Sequence, residues 1–127
     1  MSLSNGYEAK MLDHLFGLAA LTAPTIYIGL STVDPAEDGS GLDEPTGGAY
    51  ARVAVSAWTR IASEVANTSD FQFAEATASW GTCTHLVAFD ALTSGDIIFS
   101  FALDSSLDVD SGDQVTFHAG NCSVTMD

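Results

Sequence analysis

Two cysteines and two histidines are the residues best suited to chemistry in this chain. Cys83 and His85 have one residue between them, and His118 and Cys122 lie four apart. Thiolate sulfur and imidazole nitrogen are the usual ligands of structural zinc, which is commonly held by close pairs of such residues. If both stretches are strands that meet in space, the four side chains compose a zinc-ligand set. Neither pair has the C-x-x-C spacing of a dedicated site, so satisfied core and surface side chains are the better reading. Asp108, Asp110 and Asp113 resemble part of a calcium loop, but Gly112 falls in the wrong place for an EF-hand, and a plain turn explains them. No G-x-S-x-G, P-loop or H-E-x-x-H pattern is present. The expectation is a protein that is not an enzyme, with no cofactor and no metal.

The elements that position these residues are mostly strands. Between Pro24 and Pro35 the chain reads as a strand, with Ile26, Ile28 and Leu30 on one face and Tyr27, Gly29 and Ser31 on the other. Before it, residues 2–20 read as a helix capped at Asn5, with Glu8 at capping-box spacing. Leu12, Leu15, Phe16 and Ala19 are spaced to share one helix face, and Gly17 weakens the last turn. His14 reads as a surface residue of that helix. After the first strand comes a long acidic, Gly-rich loop from Asp34 to Gly48, carrying Asp34, Glu37, Asp38, Asp43 and Glu44. Loops of this length are usually functional or mobile. Contact with a neighbour, a calcium site without an ordered ligand pattern, and a plain solvated loop all remain open for it.

Further strands follow. Tyr50–Val55 alternates, and Trp58 and Ile61 continue it after an interruption. Asn67–Asp70 is a turn, and Phe71 and Phe73 point together into a core. Trp80–Asp90 and Ile97–Leu103 form a hairpin about a turn at Thr93–Asp96. Gln114–His118 and Cys122–Met126 close the chain. The pattern predicts a mainly β protein, a β-sandwich or jelly-roll-like barrel of about seven short strands with an N-terminal helix. Residues 1–22 read as a helical arm and 23–127 as the β-sandwich domain.

Charge narrows the partners. Seventeen acidic residues face only Lys10, Arg52 and Arg60, a formal net charge of −14 in 127 residues. Binding phosphate backbones requires Lys and Arg, so nucleic acid and anionic membranes are not expected partners. The sequence has no apolar run long enough to span a bilayer and no signal-peptide pattern at its start. In a reducing cytosol Cys83 and Cys122 are expected as buried free thiols, with a cross-strand disulfide as the alternative.

Several stretches, in this order, carry a resemblance. Ser2 to Gly17, Ala23 to Pro35, Glu44 to Arg52, Phe71 to Trp80-Gly81-Thr82 with His85, Asp90 with the Gly95 turn, and Val124-Thr125 resemble small virion proteins of tailed bacteriophages. Such proteins are head decoration (cement) proteins or tail and tail-fibre proteins. The resemblance implies a virion structural protein, made in the bacterial host cytoplasm and not an enzyme. The reading is a capsid decoration protein on the outer face of the capsid. The alternative is a tail or tail-fibre-associated protein, with receptor or glycan binding as one form of it. Expected partners are other copies of the chain and the major capsid protein or tail proteins. Subunit contacts are expected at Tyr7, Met11, Leu12, Leu15 and Phe16 of the helix and at Asp34, Glu37, Asp38, Asp43 and Glu44 of the loop.

Overall fold

The fold was obtained as a computed structural model, which describes residues 3–126. Met1, Ser2 and Asp127, assigned from the sequence to the arm and to the end of the β domain, lie outside the described residues. Among the described residues one helix, α1 (Asn5–Leu15), precedes nine strands: β1 (Ile26–Ser31), β2 (Val53–Val55), β3 (Trp58–Ile61), β4 (Glu64–Asn67), β5 (Phe71–Gln72), β6 (Gly81–Phe89), β7 (Ile97–Val109), β8 (Thr116–Phe117) and β9 (Ser123–Thr125). The fold is mainly β and sandwich-like, as the alternating pattern predicts.

The largest sheet is antiparallel, in the order β2-β1-β6-β7. β1 lies inside it, pairing β2 at Ile28↔Val53 and β6 at Leu30↔Leu86. Both of its faces are covered: Ile28, Gly29, Leu30 and Ser31 are all buried. On one side Ile28 and Leu30 enter the main core with Cys83, Leu86, Ala88 and Phe99. On the other a smaller cluster, Val87, Phe89 and Ile97, is covered by Tyr27 and by Leu42 of the acidic loop. Gly29 shows how tight this second face is. A Cβ there would lie 2.7 Å from Tyr50 Oη and 2.9 Å from Glu44 Oε1, so no larger residue fits without displacement.

The β6–β7 hairpin turns through Ser94 and Gly95, both at positive φ. Farther along, its register breaks: Ala102 faces His85 and Leu107 faces Cys83. Residues 103–106 therefore bulge out opposite the single residue Thr84. A three-stranded sheet in the order β3-β4-β9 and a two-stranded sheet β5-β8 complete the molecule. Phe73, fully buried between them and the main sheet, packs against Tyr50, Trp80 and Phe117 with centroids 6.1–6.3 Å apart. The Trp80 indole donates to Gly48 O at 2.8 Å, fastening the end of the acidic loop to this aromatic core.

Several elements differ from the sequence expectation: nine strands are described where about seven were expected, and β7 runs on to Val109, past the expected end at Leu103 and into the expected turn at Asp108. α1 is shorter than residues 2–20 and is capped by Ser4, not Asn5. Ser4 has extended backbone, and its hydroxyl accepts the Tyr7 N–H at 3.3 Å, the geometry of an N-cap. Gly17, at φ 71°, turns the chain out of the helix. Residues 58–61 do not continue β2. They begin a separate hairpin with β4 through Ala62 and Ser63, Ala62 itself at φ 52°.

Candidate functional site

The helix has two apolar faces of opposite fate. Its inward face runs Leu3, Tyr7 and Met11. Leu3 and Tyr7 are buried in the main core and Met11 packs against it. Ser4 fixes the start of the helix to β7, its N–H donating to Ile98 O at 2.8 Å and its hydroxyl donating to Ile97 O. Tyr7 Oη donates to Asp90 Oδ2 at 2.8 Å, and Lys10 Nζ lies 2.8 Å from Asp96 and 3.8 Å from Asp90. Burial and then the Asp90 hydrogen bond push the Tyr7 hydroxyl above its ordinary pKa. Burial works against the Asp90 carboxylate. The Asp96 N–H, the Tyr7 hydroxyl and Lys10 nevertheless hold it below the usual carboxylate range.

The outward face is Leu12, Leu15 and Phe16, joined past Gly17 by Leu18. These are 56%, 70%, 75% and 77% exposed. Each large apolar side chain is worth roughly 1.5–3 kcal/mol when moved from water into a packed contact. Four of them together at one helix end form an exposed apolar patch of the kind that marks a protein contact. His14, also exposed, accepts the Leu21 N–H on Nδ1 at 3.1 Å and so ties the segment after the helix back to it.

The acidic loop is folded against the sheet. The Glu37 carbonyl accepts the Asn5 N–H at 3.0 Å, satisfying one of the helix's free N-terminal donors. Thr32 binds Asp43 through its N–H, 2.9 Å from the Asp43 carbonyl, and through its hydroxyl, 2.6 Å from the carboxylate. Asp38 accepts the Ser40 N–H at 2.9 Å, and hydrogen bonding from Ser40 lowers its pKa. Asp34 lies exposed, 3.4 Å from His85 Nε2. Glu44 faces inward and takes Arg52 in a two-pronged ion pair of 2.9 and 2.7 Å. Arg52 also donates to the Ala91 and Ser94 carbonyls at 2.8 and 2.7 Å, and its guanidinium lies 3.4 Å from the Phe89 ring centre. Tyr50 Oη donates to Glu44 at 2.7 Å and accepts the Leu30 N–H at 2.9 Å. Of the ten expected contact residues, Tyr7, Met11 and Glu44 are thus engaged within the chain. Leu12, Leu15, Phe16, Asp34, Glu37, Asp38 and Asp43 have exposed side chains.

The metal-ligand candidates are scattered. Cys83 and Cys122 are free and buried. Burial alone raises both thiol pKa values, that of Cys122 to about 12, so neither is a ready thiolate. His85 Nδ1 is 2.8 Å from Thr84 Oγ1. His118 is exposed beside Asp70, whose pKa is lowered by the Ala119 N–H and by His118. Among the described residues no three His, Cys, Asp or Glu side chains converge as a metal site would require. No described helix is long and apolar enough to cross a membrane.

Residues 2–125 match the family model "Podophage GP4 fiber I protein gp80". The chain belongs to this family. It is a structural protein of a tailed-phage particle, as the resemblance in its sequence implied. No curated protein matches the chain. The sequence resemblance lay in the order of several short stretches, and the family match runs through all of them. The outward leucine at position 18 was not among the expected contacts. Its signal is the glycine before it, which ends the helix at φ 71° and is followed by Leu18, whose N–H donates back to the Asp13 carbonyl at 2.8 Å.

Proposed function

We propose that this protein is a structural, non-enzymatic subunit of the phage tail fibre, held there by the apolar end of α1. The family's description as a fibre protein supports the fibre position over the capsid decoration first expected from the sequence. The observation that carries the mode of attachment is the exposed group Leu12, Leu15, Phe16 and Leu18. α1 is anchored to the domain along its inner side, so the outer patch is presented on a fixed platform. A neighbouring tail protein that covers it gains apolar burial without ordering a loose arm. A glycan-binding role would call for exposed aromatics in loops. Here Trp80 is buried and Trp58 is half-buried, and both indoles are bonded to backbone carbonyls.

The test is incorporation. Leu15→Asp and Phe16→Asp place charge on exposed positions, so both variants are expected to fold with wild-type stability. Supplied in place of the wild-type protein during infection, they are expected to be absent from purified particles or reduced at least tenfold. Incorporation at the wild-type level would remove the patch from the attachment.

A further inference from the structure

We propose that β3 of one copy, led by Arg60 and Ile61, seats in a groove bordered by β7, β8 and β9 of a second copy, with Arg60 against Asp104. This rests on the reading that the protein is a structural subunit of the phage fibre and adds that copies join one another, and how. The groove has a volume of about 840 Å³. Its walls come from residues 101–105 and 107–109 of β7, from residues 113–117 and from Gly120, Asn121 and Ser123. β7 and β9 are outer strands of their sheets, and β8 belongs to the two-stranded sheet, so all three sheets border this groove. Such borders leave main-chain N–H and C=O groups without a ladder partner, and an added strand satisfies them.

Charge chooses the occupant. Asp104, Asp108 and Asp113 line the groove, and no Lys, Arg or His does. Asp108 is engaged by the Thr82 hydroxyl, and Asp113 accepts the Asp110 N–H at 2.9 Å. Asp104, on the bulge of β7, is exposed, and its carboxylate has no hydrogen-bond or ion-pair partner among the described residues. The groove therefore calls for a strand bearing a cation and an apolar side chain. Among the described residues Lys10 is paired with Asp90 and Asp96, and Arg52 with Glu44. Arg60 alone of the three has no carboxylate, donating only to the Ala62 carbonyl at 2.7 Å. It lies on β3, the outer strand of its sheet, beside Ile61, which is 74% exposed. Charges on outer strands ordinarily keep edges apart. Here the two edges carry opposite signs, so they complement one another. The contact joins two different surfaces, and it can therefore repeat from copy to copy. At about 0.15 M salt the long-range repulsion between copies, each of charge −14, is screened beyond roughly 8 Å, while a direct ion pair persists.

Sedimentation velocity of the purified full chain over a concentration series at that ionic strength tests the arrangement. The wild type is expected to self-associate. Arg60→Glu and Asp104→Lys, both at exposed positions, are each expected to weaken association roughly tenfold, because like charges then face each other. The double variant, which exchanges the two signs, is expected to restore it. Circular dichroism of each variant checks that the fold is intact. A wild-type monomer at every concentration, or weakening by Arg60→Glu with no effect of Asp104→Lys, overturns the proposal. So does a double variant as weak as the singles. None of these outcomes bears on the fibre position, which is read from the particle itself.

Discussion

Arg52 closes three segments on one guanidinium: the acidic loop through Glu44, the β6–β7 turn through the Ala91 and Ser94 carbonyls, and the sheet face through Phe89. Its side chain is 6% exposed, so removing it strands a largely desolvated carboxylate. Breaking a buried pair from one side costs about 3–5 kcal/mol, and the partial exposure of Glu44 puts this pair at the low end. Arg52→Met keeps much of the stem over Phe89 and is expected to lower unfolding free energy by about 3 kcal/mol. Urea denaturation measures it, and a loss under about 0.5 kcal/mol would mean that Glu44 is solvated without its partner. The sequence showed Arg52 as one of three cations and Glu44 as one carboxylate in an acidic loop. Nothing in their spacing joins them, because the two carbonyls that complete the site come from some forty residues downstream.

At the scale of elements, α1 is held by a node of four side chains: Tyr7, Lys10, Asp90 and Asp96. Asp90 is its centre and its pH-sensitive member. Its carboxyl pKa is lowered in the folded protein, so its contribution is present above the ordinary carboxylate pKa of about 3.9 and is lost as pH falls through the depressed folded value. Acid is therefore expected to weaken the docking of α1, and the stability of Asp90→Asn is expected to fall less than that of the wild type below about pH 4. Urea midpoints across the acid range check this, and parallel curves for the two proteins would contradict it. The existence of α1 was legible from its spacing, and so was the hairpin around Ser94 and Gly95. Which face of α1 turns inward was not. The stripe Leu12, Leu15, Phe16 is the more apolar by composition. The fold instead buries Leu3 and Tyr7, with Met11 partly buried against the same core, because Tyr7 finds Asp90 and Ser4 finds the β7 backbone. The β3–β4 hairpin escaped for a different reason. Its turn is Ala62-Ser63, without the Gly or Asn that marks a tight turn.

For the whole molecule, alternating apolar residues were enough to predict a β-sandwich-like protein, while its place among phage virion proteins came from the resemblance of several stretches to that family and from the family match. How three sheets meet was beyond that pattern, since two of them contain strands of only two to four residues. Surfaces made by such edges belong to the assembled fold and leave little trace in any one segment. In the proposed arrangement this acidic domain is built into the tail fibre. Cryo-electron microscopy of intact particles, with the wild-type protein compared against particles lacking it, tests that most directly. Density fitting this fold on the fibre, and missing there when the protein is absent, is the predicted result. Density on the capsid shell with an unchanged fibre would contradict it.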